Sequence, residues 1–266
     1  MVNLMVKISQ LKHMWKISLI AISVIIHLSF IIKEKYLVDF HQDNHGFTYT
    51  YDSTGTITKF QNTKAVTSVN FKSKQTLYSL QASNALNILL FYKEQQEIIL
   101  LDNFLNQLQA IDLTDFNFTQ VELATLSNDN KIWLLTAPNN NLIKVDFQGN
   151  IIQTIEDLTL LNLQLEGAYK MEMIDDDLVI ITKTKIHYFD PNGIWSKTQT
   201  ITSQNLSITS EKIAVLQGDS VHLYRRNPFL TKTMSKAISP NKKKIQLTPK
   251  GILYLNKNGV NLIELP

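Results

Sequence analysis

The chain has 266 residues, 44% of them hydrophobic, which is enough for a sizeable core, and it contains no cysteine. That composition excludes disulfides, a thiolate nucleophile, cysteine-ligated zinc and lipid attachment through a thiol. The formal charge of +3 hides a division: residues 1–35 hold five Lys against one Glu, residues 36–219 hold 12 basic against 21 acidic side chains, and residues 220–266 hold nine basic against one acidic.

Residues 1–16 carry Lys7, Lys12, His13 and Lys16 and precede an apolar run over 17–32. A basic segment followed by a hydrophobic one is the pattern of an export signal or an uncleaved anchor. The run of about 16 residues falls short of the roughly 20 that a helix needs to cross a bilayer, and Ser18, Ser23, His27 and Ser29 weaken it further. No small-x-small cleavage site follows, so a cleaved signal and a tether both stay open. Initiation at Met14 would leave a more ordinary signal, and a buried strand or helix of a soluble protein is the third alternative. Residues 1–28 are assigned to a hydrophobic leader helix and 29–266 to the body. Residues 29–35 (SFIIKEK) are expected to form a strand, and those residues cannot also be embedded in a membrane.

From residue 36 onward the chain is a succession of short β-branched and aliphatic runs separated by Asn, Asp, Gly and Pro, the pattern of antiparallel strands joined by tight turns. The clearest stretch is 121–155, with four runs and turn formers between them. Such a meander buries only one face unless a neighbour covers the other, so further copies are expected. First strands start near Tyr36, Tyr78, Val121, Tyr169, Leu206 and Ile245, a spacing of roughly 37 to 48 that suits propeller-type repeats. The second strands echo one another most: GFTYT from Gly46, NILLF from Asn87, KIWLL from Lys131, DLVII from Asp177, KIAVL from Lys212 and GILYL from Gly251. Third strands follow at 98–101, 142–146, 185–189, 221–224 and 260–264.

Asn128-Asp129-Asn130-Lys131-Ile132-Trp133 followed by Asn140-Asn141-Leu142-Ile143-Lys144-Val145-Asp146-Phe147-Gln148-Gly149-Asn150 resembles the D-G-N-I-W-V and N-R-I-Q-K-F-D-x-x-G-N pattern of NHL and related β-propeller repeats. Tyr188-Phe189-Asp190-Pro191-Asn192-Gly193 repeats its tail. The match is good over one unit, partial in two and weak elsewhere. The resemblance implies an all-β fold, a six-bladed β-propeller of four-stranded antiparallel blades, and it implies no activity, because propellers host unrelated functions. The last unit has sequence for only three strands. A ring leaves only short, protected edges when its last blade is completed from the other terminus, so residues 29–35 are expected to close it.

The candidate chemical groups are few. The basic sector near the C-terminus, densest at Arg225, Arg226, Lys242, Lys243 and Lys244, suits contact with an acidic partner or membrane head groups. It equally suits solvated loop lysines that keep strand edges from pairing. No nucleic-acid module is recognisable, and no nucleic-acid partner is expected. His41 and His45 flank Asp43, a possible metal set, but a polar reversal between strands needs such residues anyway. Asp175-Asp176-Asp177 occupies the equivalent turn of the fourth unit and lacks the spacing of an EF-hand. Enzymatic propellers of the lactonase type hold a metal in the central channel, and the resemblance places Asp39, Glu122 and Glu172 on or near the first strands that line it. There is no nucleophile elbow, no phosphate-binding glycine loop and no zinc helix. Trp133, Tyr49, Phe91, Tyr188, Tyr224 and Tyr254 are expected to pack between blades, and Trp195 to be more exposed. No catalytic residue, metal or cofactor is assigned. The expected function is an exported or membrane-tethered non-catalytic propeller, a protein-binding or envelope scaffold. The alternatives are a metal-dependent lactonase or hydrolase and a soluble cytoplasmic scaffold.

Overall fold

In the computed structural model the described residues are 36–71, 76–84, 86–116, 120–163, 165–201, 205–226, 231–237, 244–256 and 259–265. The leader and the expected closing strand at 29–35 lie outside them. The ring described here is contained in Leu37–Pro266.

The strands fall into six separate antiparallel sheets. Blade one is β1 (Leu37–Gln42), β2 (Phe47–Asp52), β3 (Thr56–Gln61) and β4 (Lys64–Asn70). Blade two is β5 (Ser79–Asn84), β6 (Asn87–Tyr92), β7 (Glu97–Leu101) and β8 (Gln107–Asp112). Blade three is β9 (Val121–Leu126), β10 (Ile132–Thr136), β11 (Leu142–Val145) and β12 (Ile151–Ile155). Blade four is β13 (Lys170–Ile174), β14 (Asp177–Ile181), β15 (Lys185–Phe189) and β16 (Trp195–Thr200). Blade five is β17 (Leu206–Ile208), β18 (Lys212–Gln217), β19 (Ser220–Arg225) and β20 (Thr231–Ala237). Blade six has three strands among the described residues, β21 (Ile245–Thr248), β22 (Gly251–Asn256) and β23 (Gly259–Glu264). Within every sheet the strands pair in chain order, and the repeat starts agree with the sequence expectation to within one residue. Among the described residues no helix is long and apolar enough to cross a membrane.

The second strands read as continuous apolar runs because each blade is covered on both faces, and alternate residues serve opposite neighbours. On β10, Ile132 and Leu134 join Leu89, Phe91 and Leu100 of blade two, while Trp133 and Leu135 join Met171, Leu178 and Phe189 of blade four. On β14, Leu178 and Ile180 face back to blade three, and Val179 and Ile181 face forward to Leu206 and Val215 of blade five. Equivalent clusters join blades one and two, five and six, and six and one, the last made by Phe40 with Leu253 and Leu255. Burying each such side chain is worth about 1.5–3 kcal/mol, and no blade has that burial on its own. The six interfaces are therefore the core.

Among the described residues one turn recurs five times and explains the D-x-x-G tail of the repeat. At Asp43, Asp52, Asp102, Asp146 and Asp190, a carboxylate Oδ1 accepts the backbone N–H groups two and four residues on, at 2.8–3.2 Å. The third residue on, Gly46, Gly55, Leu105, Gly149 or Gly193, has φ between 69° and 86°. An Asp side chain that mimics a backbone turn, followed by a left-handed residue, is how a short loop reverses a strand without splaying it. Leu105 takes the strained position without glycine's freedom. Its side chain is buried between blades one and two, which offsets the strain. These hydrogen bonds hold the Asp146 carboxyl below the usual carboxylate range, the Asn150 side chain contributing most. At Gly193 the glycine is also needed for room, because an added Cβ would lie 2.3 Å from Ile155 Cδ1 and 3.0 Å from the Trp133 ring.

Lysines cap the aromatic residues of these interfaces. Lys59 Nζ lies 4.2 Å from the Phe47 ring centre, Lys144 Nζ 5.0 Å from that of Trp133 and Lys197 Nζ 4.7 Å from that of Tyr188. Lys144 and Lys197 each sit directly opposite their aromatic partner on the adjacent strand. Their alkyl stems cover the ring edge while the ammonium groups gain from the ring face.

Candidate functional site

The first strands of the six blades run side by side in one direction. Asp39 contacts Leu80 and His41 contacts Ala82, while Asp39 contacts Lys244 and Gln42 contacts Gln246, so the pairs advance together along neighbouring strands. They enclose a central cavity of about 600 Å³ lined by β1, β5, β13, β17 and β21. Polar residues alternate along these elements in the lining: Asp39, His41 and Asp43 on β1 and the turn after it, Ser79, Gln81 and Ser83 on β5, Lys170 and Glu172 on β13, Ser207 on β17, and Lys244, Gln246 and Thr248 at β21.

Many of these lumen side chains bind backbone groups of an adjacent first strand. Asp39 accepts from Phe40 N and Leu80 N, each at 2.8 Å, and from Lys244 Nζ at 2.6 Å, and so joins blades one, two and six. Gln246 accepts from Gln42 N and donates to Gln42 O, both at 2.8 Å. Ser207 Oγ accepts from Leu247 N at 2.8 Å. Gln81 Nε2 donates to Ala124 O at 3.0 Å and to Met171 O at 3.2 Å, while its Oε1 accepts from Thr125 Oγ1 at 2.8 Å, so one amide ties blade two to blades three and four. None of these residues except Asp39 and Lys244 was singled out from sequence. The signal was present as polar residues alternating on predicted first strands, as in Lys170-x-Glu172 and Lys244-x-Gln246-x-Thr248.

His41 Nδ1 accepts from Ala82 N at 3.2 Å. A ring nitrogen that accepts carries no proton, so the neutral imidazole holds its hydrogen on Nε2. Burial, and then the nearby ammonium groups of Lys244 and Lys170, hold its pKa well below the ordinary value, which keeps the ring neutral.

The three carboxylates proposed for a channel metal are kept apart. Asp39 pairs with Lys244, Glu172 with Lys170 at 2.8 Å, and Glu122 with Lys93. Glu122 does not line the cavity. Among the described residues no group of three or more His, Asp or Glu gathers to hold a metal ion. A lactonase-type metal therefore does not fit these residues. The His41–Asp43–His45 set is likewise divided, since Asp43 is spent on His45 N, Phe47 N and Tyr49 Oη, and His41 on Ala82. In the Asp175-Asp176-Asp177 turn, Asn128 Nδ2 donates to Asp175 O, which joins the equivalent turns of blades three and four.

The basic sector is spread over both ends of the ring. β19 runs parallel to β17, since both are antiparallel to β18, and so it ends where the first strands end. Arg225 is exposed there, and Arg226 Nη1 donates to Thr209 O at 2.6 Å with its guanidinium 5.1 Å from the centre of the Tyr188 ring. Lys244 sits at the opposite end, just before β21, and turns into the cavity. Lys242 and Lys243 lie outside the described residues. Trp133, Tyr49, Phe91 and Tyr188 are fully buried between blades, Tyr224 and Tyr254 half-buried, and Trp195 is 40% exposed.

The chain matches no family model and no curated protein by sequence. Among solved structures it is similar to the Pan2 WD40 domain of Neurospora crassa, at 9% identity over 88% of this chain and 77% of that one, with a TM-score of 0.59. It is also similar to the Cps50 (Swd1) β-propeller domain of Myceliophteria thermophila, at 11% identity over 88% and 98%, with a TM-score of 0.61. A third similar structure is virginiamycin B lyase from Staphylococcus aureus, at 11% identity over 85% and 80%, with a TM-score of 0.56. These are propellers of several kinds, and the NHL type is not singled out among them. With six separate four-stranded or three-stranded sheets about one axis and neighbours of this kind, the chain is a β-propeller with degenerate repeats.

Proposed function

We propose that the chain is a non-catalytic β-propeller that serves as a protein-binding scaffold, exported or held at a membrane through its basic and apolar N-terminal segment. The observation that carries this reading is that Asp39, Glu122 and Glu172 each lie against a different lysine and, among the described residues, do not gather with other carboxylates or histidines as a metal-ligand set. The turns that follow the third strands offer the binding surface instead. Phe104 and Ile194 are 72% and 64% exposed in equivalent Asp-led turns of blades two and four, and apolar side chains at solvent-facing turns suit a protein partner more than they suit water.

The test is a parallel assay of the full chain. Affinity capture from the native cell envelope should recover a partner that is lost with Phe104→Asp/Ile194→Asp and kept with Glu172→Gln. Metal-dependent ester or lactone hydrolysis by the purified protein, abolished by Glu172→Gln, would overturn the reading. Recovery of the tagged chain only in the soluble cytoplasmic fraction would remove its exported part.

The same reading includes closure of the ring by residues 29–35. In each of the other blades the outermost strand is followed in the chain by the innermost strand of the next, as β4 is by β5 and β8 by β9. On this reading residues 29–35 would supply a fourth strand for blade six, next to β23. A double substitution Ile31→Pro/Ile32→Pro removes a ladder N–H in either register and should lower the melting temperature by several degrees. The same change at Ile20 and Ala21 should leave it in place. Equal melting of both variants would rule out the closing strand.

A further inference from the structure

The polar groups of the channel divide into those already satisfied and those still available. Asp39 has both oxygens engaged, and Asp43 is held by two backbone N–H groups and the Tyr49 hydroxyl. Glu172 is different. Its Oε1 is buried, lies 2.8 Å from Lys170 Nζ but out of hydrogen-bond alignment, and has no hydrogen-bond partner among the described residues.

On the donor side, His41 presents its Nε2–H, because Nδ1 is held by Ala82 N. Ser207 accepts from Leu247 N and keeps its own O–H to give. Lys244 uses one of its three N–H groups on Asp39. The lumen thus sets several donors against one incompletely satisfied carboxylate.

Charge narrows the ligand further. Lys244 with Asp39 and Lys170 with Glu172 are two balanced pairs, and Asp43, the remaining carboxylate of the lining, is held by His45 N, Phe47 N and Tyr49 Oη, so the space between the two pairs has separated positive and negative groups and a neutral imidazole. A net anion would meet no excess of positive charge in this lining, and a net cation would leave the free donors of His41, Lys244 and Ser207 without an acceptor. A molecule bearing both signs matches both. The cavity of about 600 Å³ has room for a small molecule of this kind.

We propose that the central cavity binds a small zwitterion, a molecule that carries a carboxylate and a protonated amine, as free α-amino acids and dipeptides do. The carboxylate takes the donors of His41, Lys244 and Ser207, and the ammonium group takes Glu172. The low basicity of His41 agrees with this placement, since a neutral ring gives Nε2–H without adding charge. The proposal uses the same paired-carboxylate geometry as the non-catalytic reading but does not depend on the outer-turn surface.

The experiment uses the full chain and measures thermal melting and calorimetric heat with each of the twenty free L-amino acids and with L-alanyl-L-alanine at about 10 mM, since a ligand bound only by the folded state must raise the melting temperature. At least one zwitterion should shift the melt, with propionate and propylamine binding about tenfold more weakly or worse. Glu172→Gln, which keeps the side-chain shape, should reduce affinity by about tenfold or more while its own unfolding stays cooperative. Should that variant fail to fold, Ser207→Ala gives the second reading, with a smaller loss expected. No shift with any zwitterion, or equal binding of propionate, would overturn the proposal, and so would unchanged affinity in both variants. Mass spectrometry of the dipeptide after incubation separates the two readings: intact dipeptide is expected, whereas its conversion to alanine would overturn the non-catalytic function and leave the binding site in place.

Discussion

Replacing Asp39 with alanine should destabilise the protein by about 3–5 kcal/mol, the usual cost of breaking one side of a buried pair. Asp39 is 7% exposed, and its carboxylate holds Leu80 N of blade two and Lys244 Nζ of blade six while sitting on blade one. Alanine removes both links at once. It leaves a backbone N–H without an acceptor in a buried position and an ammonium group without its counterion, and each of these is costly by itself. The effect should fall on ring closure, where the apolar cluster between blades six and one is the smallest among the described residues, with Phe40, Leu253 and Leu255 as its buried members. A chemical denaturation series on Asp39→Ala, Lys244→Met and the double variant is the check. The double variant should be less destabilised than the sum of the singles, because Lys244→Met removes the stranded charge. A loss below about 1 kcal/mol for Asp39→Ala would mean that neighbouring blades hold together without this stitch.

The second large effect is expected at Trp133. The indole is fully buried between blades three and four, with Leu123, Leu135, Leu142 and Phe189 around it and the Gly193 turn laid against its edge. Trp133→Ala should cost about 3–5 kcal/mol, because the cavity it leaves is walled by strands on both sides and cannot collapse. Trp133→Phe should cost much less, for a reason visible in the structure: Nε1–H is buried without a partner among the described residues, and an unsatisfied buried donor is worth about 1–3 kcal/mol against the fold. Equilibrium denaturation of the two variants side by side tests this. If phenylalanine cost as much as alanine, the ring would not be held by packing as described.

Strand order, repeat length and turn positions were legible because their causes are local. The alternation in KIWLL and DLVII follows from a two-residue side-chain period with both faces covered, and the Asp-led turns act over four residues. Of the five such turns, only those at Asp146 and Asp190 were evident as a motif. Asp102 was hidden because Leu105 stands where glycine is usual, and Asp52 because it ends a second strand instead of a third. The candidate site was less legible. Of the three carboxylates expected at the channel, Asp39 and Glu172 line it and Glu122 does not, the lysine partners were not foreseen, and Lys244 was grouped with Arg225 and Arg226 on the strength of sequence proximity alone.

The amino-acid sequence by itself determined that short strands would form, in what order, and where each chain reversal would fall, since backbone preference and hydrophobic period act between residues a few positions apart. Only the tertiary structure decided that Asp39 meets Lys244, 205 positions away, that His41 is locked as its Nε2–H form, and that Arg226 and Lys244 stand at opposite ends of the ring. Those outcomes depend on the offset between neighbouring blades and on the approach of the last blade to the first. Both are set by how the six apolar interfaces pack together, which no single stretch of chain encodes.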